Sequence, residues 1–496
     1  MRHPAKPSSY PEADVPARSP LDVADGALGQ LVEQLSVSHH RRRLGRVGWT
    51  PAIDAPAGGW AGGDPPPRAA NAVEVLIDGD ETLRAMAAAI ADARSHVHIA
   101  GWHITPDFAL TREETPTILQ KLLAKVAAKI PVRVLIWAGA PLPILHPWRG
   151  DVRKVRDQLV SGSRVQCVLD ARERPMHCHH EKTIVIDDRV AFVGGIDLTN
   201  FHGDRWDAQK HPARDAKGWH DVAARITGPA VQDVAENFAM RWQAIAGETL
   251  PPVAPPPAAG DVEVQIVRTV PDGMYPQLPR GDFRILESYL RALRAAHRFV
   301  YLENQFLWSP EILAVLREKL ANPPTPGFRL VLLLPAKPDS GGDDTRGQLG
   351  TLVQADGDGG RLLASTLYAI SGEKDWPVYI HAKVGIADDT WMTLGSANLN
   401  EHSLFNDTEM NLVTHDPRLA RQTRLRLWAE HLQRPVAEVA GDPVEVIERL
   451  WKPIAQEQAD RRKRGERATH RLTMLPGISR RSRLLLGPLQ GLVVDA

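Results

Sequence analysis

The chain is poor in cysteine: Cys167 and Cys178 are the only two in 496 residues. Two thiols cannot staple a secreted scaffold, so a disulfide framework is excluded and a reducing, cytoplasmic setting is expected. No run of 18 apolar residues occurs, so no transmembrane helix is expected. The opening Met1-Arg2-His3-Pro4-Ala5-Lys6-Pro7 lacks the apolar core of a secretory signal. Contact with a membrane is therefore expected to be peripheral. Charge of one sign is missing as well: 60 Lys and Arg balance 60 Asp and Glu. A neutral chain lacks the basic excess of most nucleic-acid binders, so no nucleic-acid partner is expected.

What is present has the composition of a globular protein, and its length exceeds one comfortable core, which points to two fused halves. Residues 1–70 form an arm rich in Pro, Ala and Gly, with a helix near Leu28–Leu44 ending in His39-His40-Arg41-Arg42-Arg43. That basic end reads as a solvated helix terminus or a packing arm. A first unit spans 71–248, a proline-rich linker 249–260, and a second unit 261–435. Residues 436–496 are an extension, basic over 461–483 and apolar over Leu484–Val494. It reads as a solvated tail plus a packing strand, with attraction to anionic lipid as the lesser reading.

Strand and helix patterns alternate in both units. The first predicts strands at Val73–Ile77, Val97–Trp102, Val132–Ala138 and Val165–Leu169, with helices over Asp80–Ala93, Ile118–Ala128 and Val152–Val160. The second predicts strands at Val262–Val270, Phe299–Phe306 and Phe328–Leu334, with helices over Phe283–Ala296, Ser309–Ala321 and near Leu362–Ile370. Helices at Val231–Ile245 and Arg418–His431 close the two units. Such alternation predicts an α/β fold with a mixed sheet flanked by helices in each half.

One string occurs twice. His180-Glu181-Lys182, Asp187 and Gly194-Gly195-Ile196-Asp197 match His381-Ala382-Lys383, Asp388 and Gly395-Ser396-Ala397-Asn398 at identical internal spacing. Identical spacing marks an internal repeat. The apolar runs Lys182–Asp187 and Lys383–Asp388 end in Asp-rich turns and read as buried strands opening hairpins. Strand side chains alternate, so His180 and Lys182 share a face, roughly 7 Å apart. Asp187 and Asp388 fall on the other face and are expected to hold turn backbone or a basic side chain, outside the substrate site.

These residue types suit phosphodiester chemistry. That reaction needs an attacking group, an acid for the leaving oxygen, and positive charge on the non-bridging oxygens. Two His-x-Lys units brought face to face supply all three, with Lys182 and Lys383 on the phosphoryl oxygens and Asn398 assisting. Ser396 and Gly195 are the small residues expected to let phosphate approach, and Asp197 supports the first motif. No metal or cofactor is implied. Successive strand residues point to opposite faces, so His177, Cys178, His179 and His180 are not expected to converge on one ion. Trp102 and Trp308 read as core residues before pocket residues.

The doubled string resembles the signature of the phospholipase D superfamily. Tyr301-Leu302-Glu303-Asn304-Gln305-Phe306, Val193–Leu198 and Arg205-Trp206-Asp207 resemble strings of its eukaryotic-type members. The first motif ends in Gly195 and Asp197 where the general pattern has Ser and Asn, a version those members share. The resemblance covers roughly 70–435 and implies two halves about a pseudo-twofold axis with one shared site. It implies His180 as nucleophile through a phosphohistidine and His381 as general acid/base. Trp219-His220-Asp221-Val222 and Asn406-Asp407-Thr408-Glu409 resemble the stretches that supply acids to orient the two histidines. The implied catalytic acids are Asp221 and Glu409, without an assignment of acid to histidine.

The substrate so implied is a phospholipid at a membrane surface, with water or an alcohol as acceptor: hydrolysis or transphosphatidylation. A cardiolipin synthase-like phosphatidyltransferase, a nuclease and a non-catalytic lipid-binding scaffold are the competing readings, since one fold hosts several of these functions.

Overall fold

The computed structural model describes residues 20–143, 145–174, 177–208, 210–212, 217–336, 342–371 and 374–475. The first half contributes β1 (Arg68–Ile77), β2 (Val97–Gly101), β3 (Val132–Trp137), β4 (Gln166–Asp170), β5 (Thr183–Ile186), β6 (Val190–Gly194), β7 (Trp219–His220) and β8 (Val222–Thr227). Its sheet runs β1-β8-β6-β5-β2-β3-β4, with β2, β3 and β4 parallel and the rest antiparallel.

The second half contributes β9 (Val262–Val270), β10 (Asp282–Phe283), β11 (Phe299–Glu303), β12 (Arg329–Leu333), β13 (Leu362–Ser371), β14 (Lys374–Pro377), β15 (Tyr379–Ile380), β16 (Val384–Ala387), β17 (Trp391–Gly395), β18 (Glu409–Thr414) and β19 (Leu472–Met474). Its sheet runs β9-β18-β17-β16-β11-β12-β13, again with one parallel trio. Position for position the two orders match. The repeat in lettering is thus a repeat in topology. Edge strands β1 and β9 pair with each other, so the sheets join.

Alternation within each strand builds the layers. Val185 on β5 enters a core shared with Val193 and Ala224 of its own sheet and with Val384, Ile386, Met392 and Leu412 of the other. Its neighbours Ile184 and Ile186 face the opposite way, against α3 (Asp78–Ala91) and α4 (Leu119–Ala127) through Leu83, Leu119 and Leu123. On the far side, Val300, Leu302 and Leu330 pack on α7 (Arg284–Ala295) and α8 (Pro310–Ala321). The result is helix, sheet, sheet, helix. Each buried Val, Leu or Ile contributes about 1.5–3 kcal/mol, so the face between the sheets holds the halves together.

Local signals set the element ends. Ser309 caps α8 with Pro310 in its first turn, and Asp416 caps α10 (Pro417–Leu432) through the Arg418 and Leu419 N–H groups. Asp187, Asp188, Asp388 and Asp389 all adopt positive φ in the two hairpin turns, a conformation Asp tolerates. Asp187 then accepts the N–H groups of Arg94, Ser95 and His96, and Asp388 those of His297, Arg298 and Phe299. Each thereby clamps the turn that enters the neighbouring strand, β2 or β11.

Leu362–Ile370, expected as a helix, is strand β13. It is paired on one side by β12 and on the other by β19 and β14. A short apolar run is compatible with either element, and here the sheet decides. The helix preceding it is Gly342–Asp356.

The arm and the extension both pack on the second half. In the helix Pro20–Val47, the His40 ring stacks on Phe405 at 3.9 Å and its Nδ1 meets Glu311 at 2.8 Å. Arg43 binds Asp272 and the Phe405 carbonyl. Residues 436–474 bury Trp451 in the shared core and add β19 to the second sheet. Leu484–Val494 lies outside the described residues. Among those described, no helix is long and apolar enough to cross a membrane.

Candidate active site

Each motif histidine is strapped by its backbone to the opposite half. The His180 N–H donates to the Thr408 carbonyl at 2.9 Å, one residue before Glu409. The His381 N–H donates to the His220 carbonyl at 2.8 Å, one residue before Asp221, where β7 and β15 run parallel. These straps impose a crossed pairing. His180 Nδ1 meets Glu409 Oε1 at 2.9 Å, and His381 Nδ1 meets Asp221 Oδ2 at 2.6 Å. The sequence left the assignment of acid to imidazole open; the fold gives each histidine the acid of the other half. An acid on Nδ1 fixes the tautomer and turns Nε2 towards the reacting centre.

The two lysines repeat one arrangement. Lys182 Nζ donates to the His180 carbonyl at 2.8 Å and lies 3.1 Å from Asp197 Oδ2. Lys383 Nζ donates to the His381 carbonyl at 2.5 Å and to Gln305 Oε1 at 3.1 Å. Asp197 in turn accepts the Trp102 N–H at 3.0 Å. Asn398, at the matching position of the second half, is fully buried.

Ser396 and Gly195, expected against phosphate, instead stand behind the two acids. The Ser396 hydroxyl donates to the Glu409 carboxylate and accepts the Met410 N–H at 3.1 Å, while Ser403 Oγ donates to Glu409 at 2.6 Å. A side chain at Gly195 would collide with the Asp221 carboxylate. Glycine in the first motif and serine in the second are therefore two solutions to one task, seating an acid against a histidine.

His180 and His381 line one small cavity with Trp102, Asp197, His202, Arg205, Trp219 and Gln305. Its volume of about 10 Å³ has room for about one water molecule. A roomier hollow of about 400 Å³, between the arm helix, α7 and α8, holds none of the motif residues. Charge and chemistry, more than size, mark the site.

Sequence alone does not single out Arg205, Trp219, His202 and Gln305 as site residues, although Arg205, Trp219 and Gln305 sit inside strings that carry the resemblance. Arg205 is buried, lies 3.9 Å over the Trp219 ring and donates to the Thr199 and Phe201 carbonyls. Burial pulls its guanidinium down to about 10. Burial, then Lys383, Lys182, Arg205 and His180, hold His381 well below the usual imidazole range. Burial also pushes Asp221 up to about 6, against the pull of Lys383. Burial and the neighbouring cations together favour a neutral His381.

The His177–His180 run diverges. His177 turns to His402 at 2.9 Å, Cys178 packs with Trp102 and Trp137, and His179 pairs with Asp170 at 3.0 Å.

Comparison with known proteins bears on the two halves. Residues 89–270 match the family model described as Phospholipase D, and 289–429 match Cardiolipin synthase, PLD-like domain. The chain belongs to the phospholipase D superfamily. It is 23% identical to Phospholipase D A of Dictyostelium discoideum and 24% identical to Phospholipase D alpha 3 of Arabidopsis thaliana. These alignments cover 74% and 70% of this chain but only 36% and 62% of those proteins. The fold is similar to that of phosphatidylserine synthase from Haemophilus influenzae Rd KW20, with a TM-score of 0.52 and 15% identity over 79% of this chain and 94% of that one. The superfamily's two domain models thus fall one on each half, each containing one His-x-Lys pair.

Proposed function

We propose that this phospholipase D-superfamily enzyme cleaves phospholipid phosphodiesters at a membrane surface through a phosphohistidine on His180. The carrying observation is the crossed pairing of two imidazoles with two acids, both imidazoles lining one cavity beside Arg205. Substrate class rests on the relatives, which are named phospholipases D.

His180 Nε2 attacks phosphorus and the bond to the head-group oxygen breaks. His381 gives its proton to that departing oxygen. Water or an alcohol then loses its proton to His381 and attacks phosphorus, the P–N bond breaks, and His180 is restored. Lys182, Lys383 and Arg205 face the negative charge that gathers on the non-bridging oxygens. Glu409 stabilises His180 while it carries the phosphoryl group. A phosphodiester anion beside the ring counters the part of the His381 depression that comes from Lys383, Lys182 and Arg205, though not the larger part due to burial. It thereby shifts His381 towards the protonated acid. Every step is assigned to a side chain, and none is routed through a metal. Hydrolysis and transfer share the intermediate and differ in the acceptor.

The test is release of choline from phosphatidylcholine vesicles, with and without added primary alcohol, together with mass spectrometry of the His180 peptide after quenching in denaturant at mildly alkaline pH, where the P–N bond survives. Head-group release with a phosphorylated His180 supports the reading. Cleavage of plasmid DNA with inert vesicles overturns it in favour of a nuclease.

A further inference from the structure

A second buried cluster lies where the halves meet, and the chemistry above does not use it. Asp78, His211 and His220 of the first half face Glu430 of the second, all four buried. His211 Nε2 lies 2.8 Å from Glu430 Oε1 and 3.6 Å from Asp78 Oδ2. His220 Nδ1 lies 2.8 Å from Asp78 Oδ1 and 3.6 Å from Glu430 Oε1. The outer nitrogen of each ring is also held by a carboxylate. His211 Nδ1 meets Asp207 at 3.0 Å, and His220 Nε2 meets Glu303 at 2.9 Å.

We propose that Asp78, His211, His220 and Glu430 form a structural divalent-cation site, with zinc the ion that best fits the donor set. Three observations carry this. First, two imidazoles and two carboxylates are a zinc donor set, and four protein ligands with no open position make a structural site. Metal–ligand bonds of about 2.0 Å in a tetrahedron place donors about 3.3 Å apart. His211 Nε2 lies 2.8 Å from Glu430 Oε1 and 3.6 Å from Asp78 Oδ2, His220 Nδ1 lies 3.6 Å from Glu430 Oε1, and the four donors all lie within 4.8 Å of one another. Second, each imidazole gives its outer N–H to a carboxylate, which fixes the tautomer that aims the inner nitrogen at an ion. Third, Asp78 Oδ2 is buried with no hydrogen-bond donor and faces His211 Nε2 across the cluster. A network of hydrogen bonds alone leaves that oxygen unsatisfied; a cation satisfies it.

The ion would brace the reacting residues without touching them. Asp78 Oδ1 accepts the Asp221 N–H at 3.2 Å, and the His220 carbonyl holds the His381 N–H. Glu430 comes from the other half, so one cation joins the two domains beside the Asp221–His381 pair.

The full chain, expressed without a histidine tag in zinc-supplemented medium and gel-filtered, is assayed by elemental analysis and thermal unfolding. One zinc per chain is expected, with a Tm that falls after dipicolinate treatment and recovers on adding zinc. His211→Gln and Glu430→Gln lose the metal. Asp207→Asn, which leaves all four ligands in place, binds it about 10–100-fold more weakly. His177→Gln, in the separate His177–His402–Asp407 group, retains it. Wild-type protein without stoichiometric metal, whose Tm ignores added zinc, overturns the proposal and identifies the cluster as imidazolium–carboxylate pairs. Loss of metal in His177→Gln with retention in His211→Gln overturns the choice of site. Metal content is read independently of turnover, so this test stands whether or not vesicles are cleaved.

Discussion

Glu409 reaches across the domain boundary to hold His180 Nδ1 at 2.9 Å, and Asp221 reaches back to hold His381 at 2.6 Å. Neither motif histidine takes its acid from its own half. The candidate site is therefore a property of the docked pair of sheets, whose shared apolar core lies between the two halves.

The crossing makes the two acids distinguishable. Glu409→Gln should impair attack by His180, and Asp221→Asn should impair proton delivery by His381, each lowering kcat by about 10²–10⁴-fold. His180→Ala and His381→Ala should both abolish choline release while leaving the fold intact. A p-nitrophenyl phosphodiester needs little proton assistance on departure. With that substrate the first-turnover burst should return in Asp221→Asn and His381→Ala, and stay absent in Glu409→Gln and His180→Ala. Rescue of the opposite pair would reverse the assigned roles.

Gly195→Ser tests the division of labour behind the acids. A side chain there meets the Asp221 carboxylate, so the acid must swing off His381. Overpacking of this kind costs about 1–3 kcal/mol of stability. The expected outcome is a kcat loss comparable to that of Asp221→Asn, with a folded protein by circular dichroism. The matching change Ser396→Gly deletes one hydroxyl from Glu409 but leaves Ser403 in place. It should cost less than Gly195→Ser in the same assay.

Much of this was legible from residues. Val262–Val270 was bounded to the residue, and the doubled string led directly to the two halves, because local pattern and internal spacing survive in one dimension. Asp187 and Asp388 were set outside the substrate site by strand alternation alone. The crossing was not legible: His180 and Glu409 are far apart in the chain, and only the docking of the sheets brings them together. Ser396 and Gly195 read as phosphate contacts in one dimension, because small residues beside a motif look alike whether they face substrate or support an acid. Leu362–Ile370 carries too few residues for its period to choose strand over helix, and its partner β19 comes from the distant extension.

The aspartate that ends the strand after each His-x-Lys pair, Asp187 or Asp388, should separate stability from chemistry. Asp187 binds three consecutive backbone N–H groups around Ser95. Although burial opposes it, the hydrogen bonds from Ser95, His96 and Arg94 leave the Asp187 carboxyl below its ordinary value. A depressed folded value gives stability that is present above the unfolded pKa and is lost as pH falls through the folded one. Asp187→Ala should cost about 1–3 kcal/mol in urea unfolding near neutral pH. That deficit should shrink in acid, and kcat of the folded fraction should stay within about threefold of wild type. A large kcat loss with unchanged stability would place Asp187 in the chemistry.

Asp221 behaves in the opposite sense. Burial raises it from the ordinary carboxylate range to about 6 in the folded protein. Between the unfolded pKa and that value the folded state binds more protons than the unfolded state. Stability from this group is therefore full in acid and declines as pH rises through about 6. The shift corresponds to a penalty of at most about 3 kcal/mol at neutral pH. Asp221→Asn removes the ionisation, so the variant should gain stability relative to wild type as urea titrations move from acid to neutral pH, while losing turnover. A stability difference that does not vary with pH would mean that Asp221 titrates as it does in the unfolded chain. Gain in stability with loss of rate is the expected mark of a carboxylate kept buried for the sake of His381.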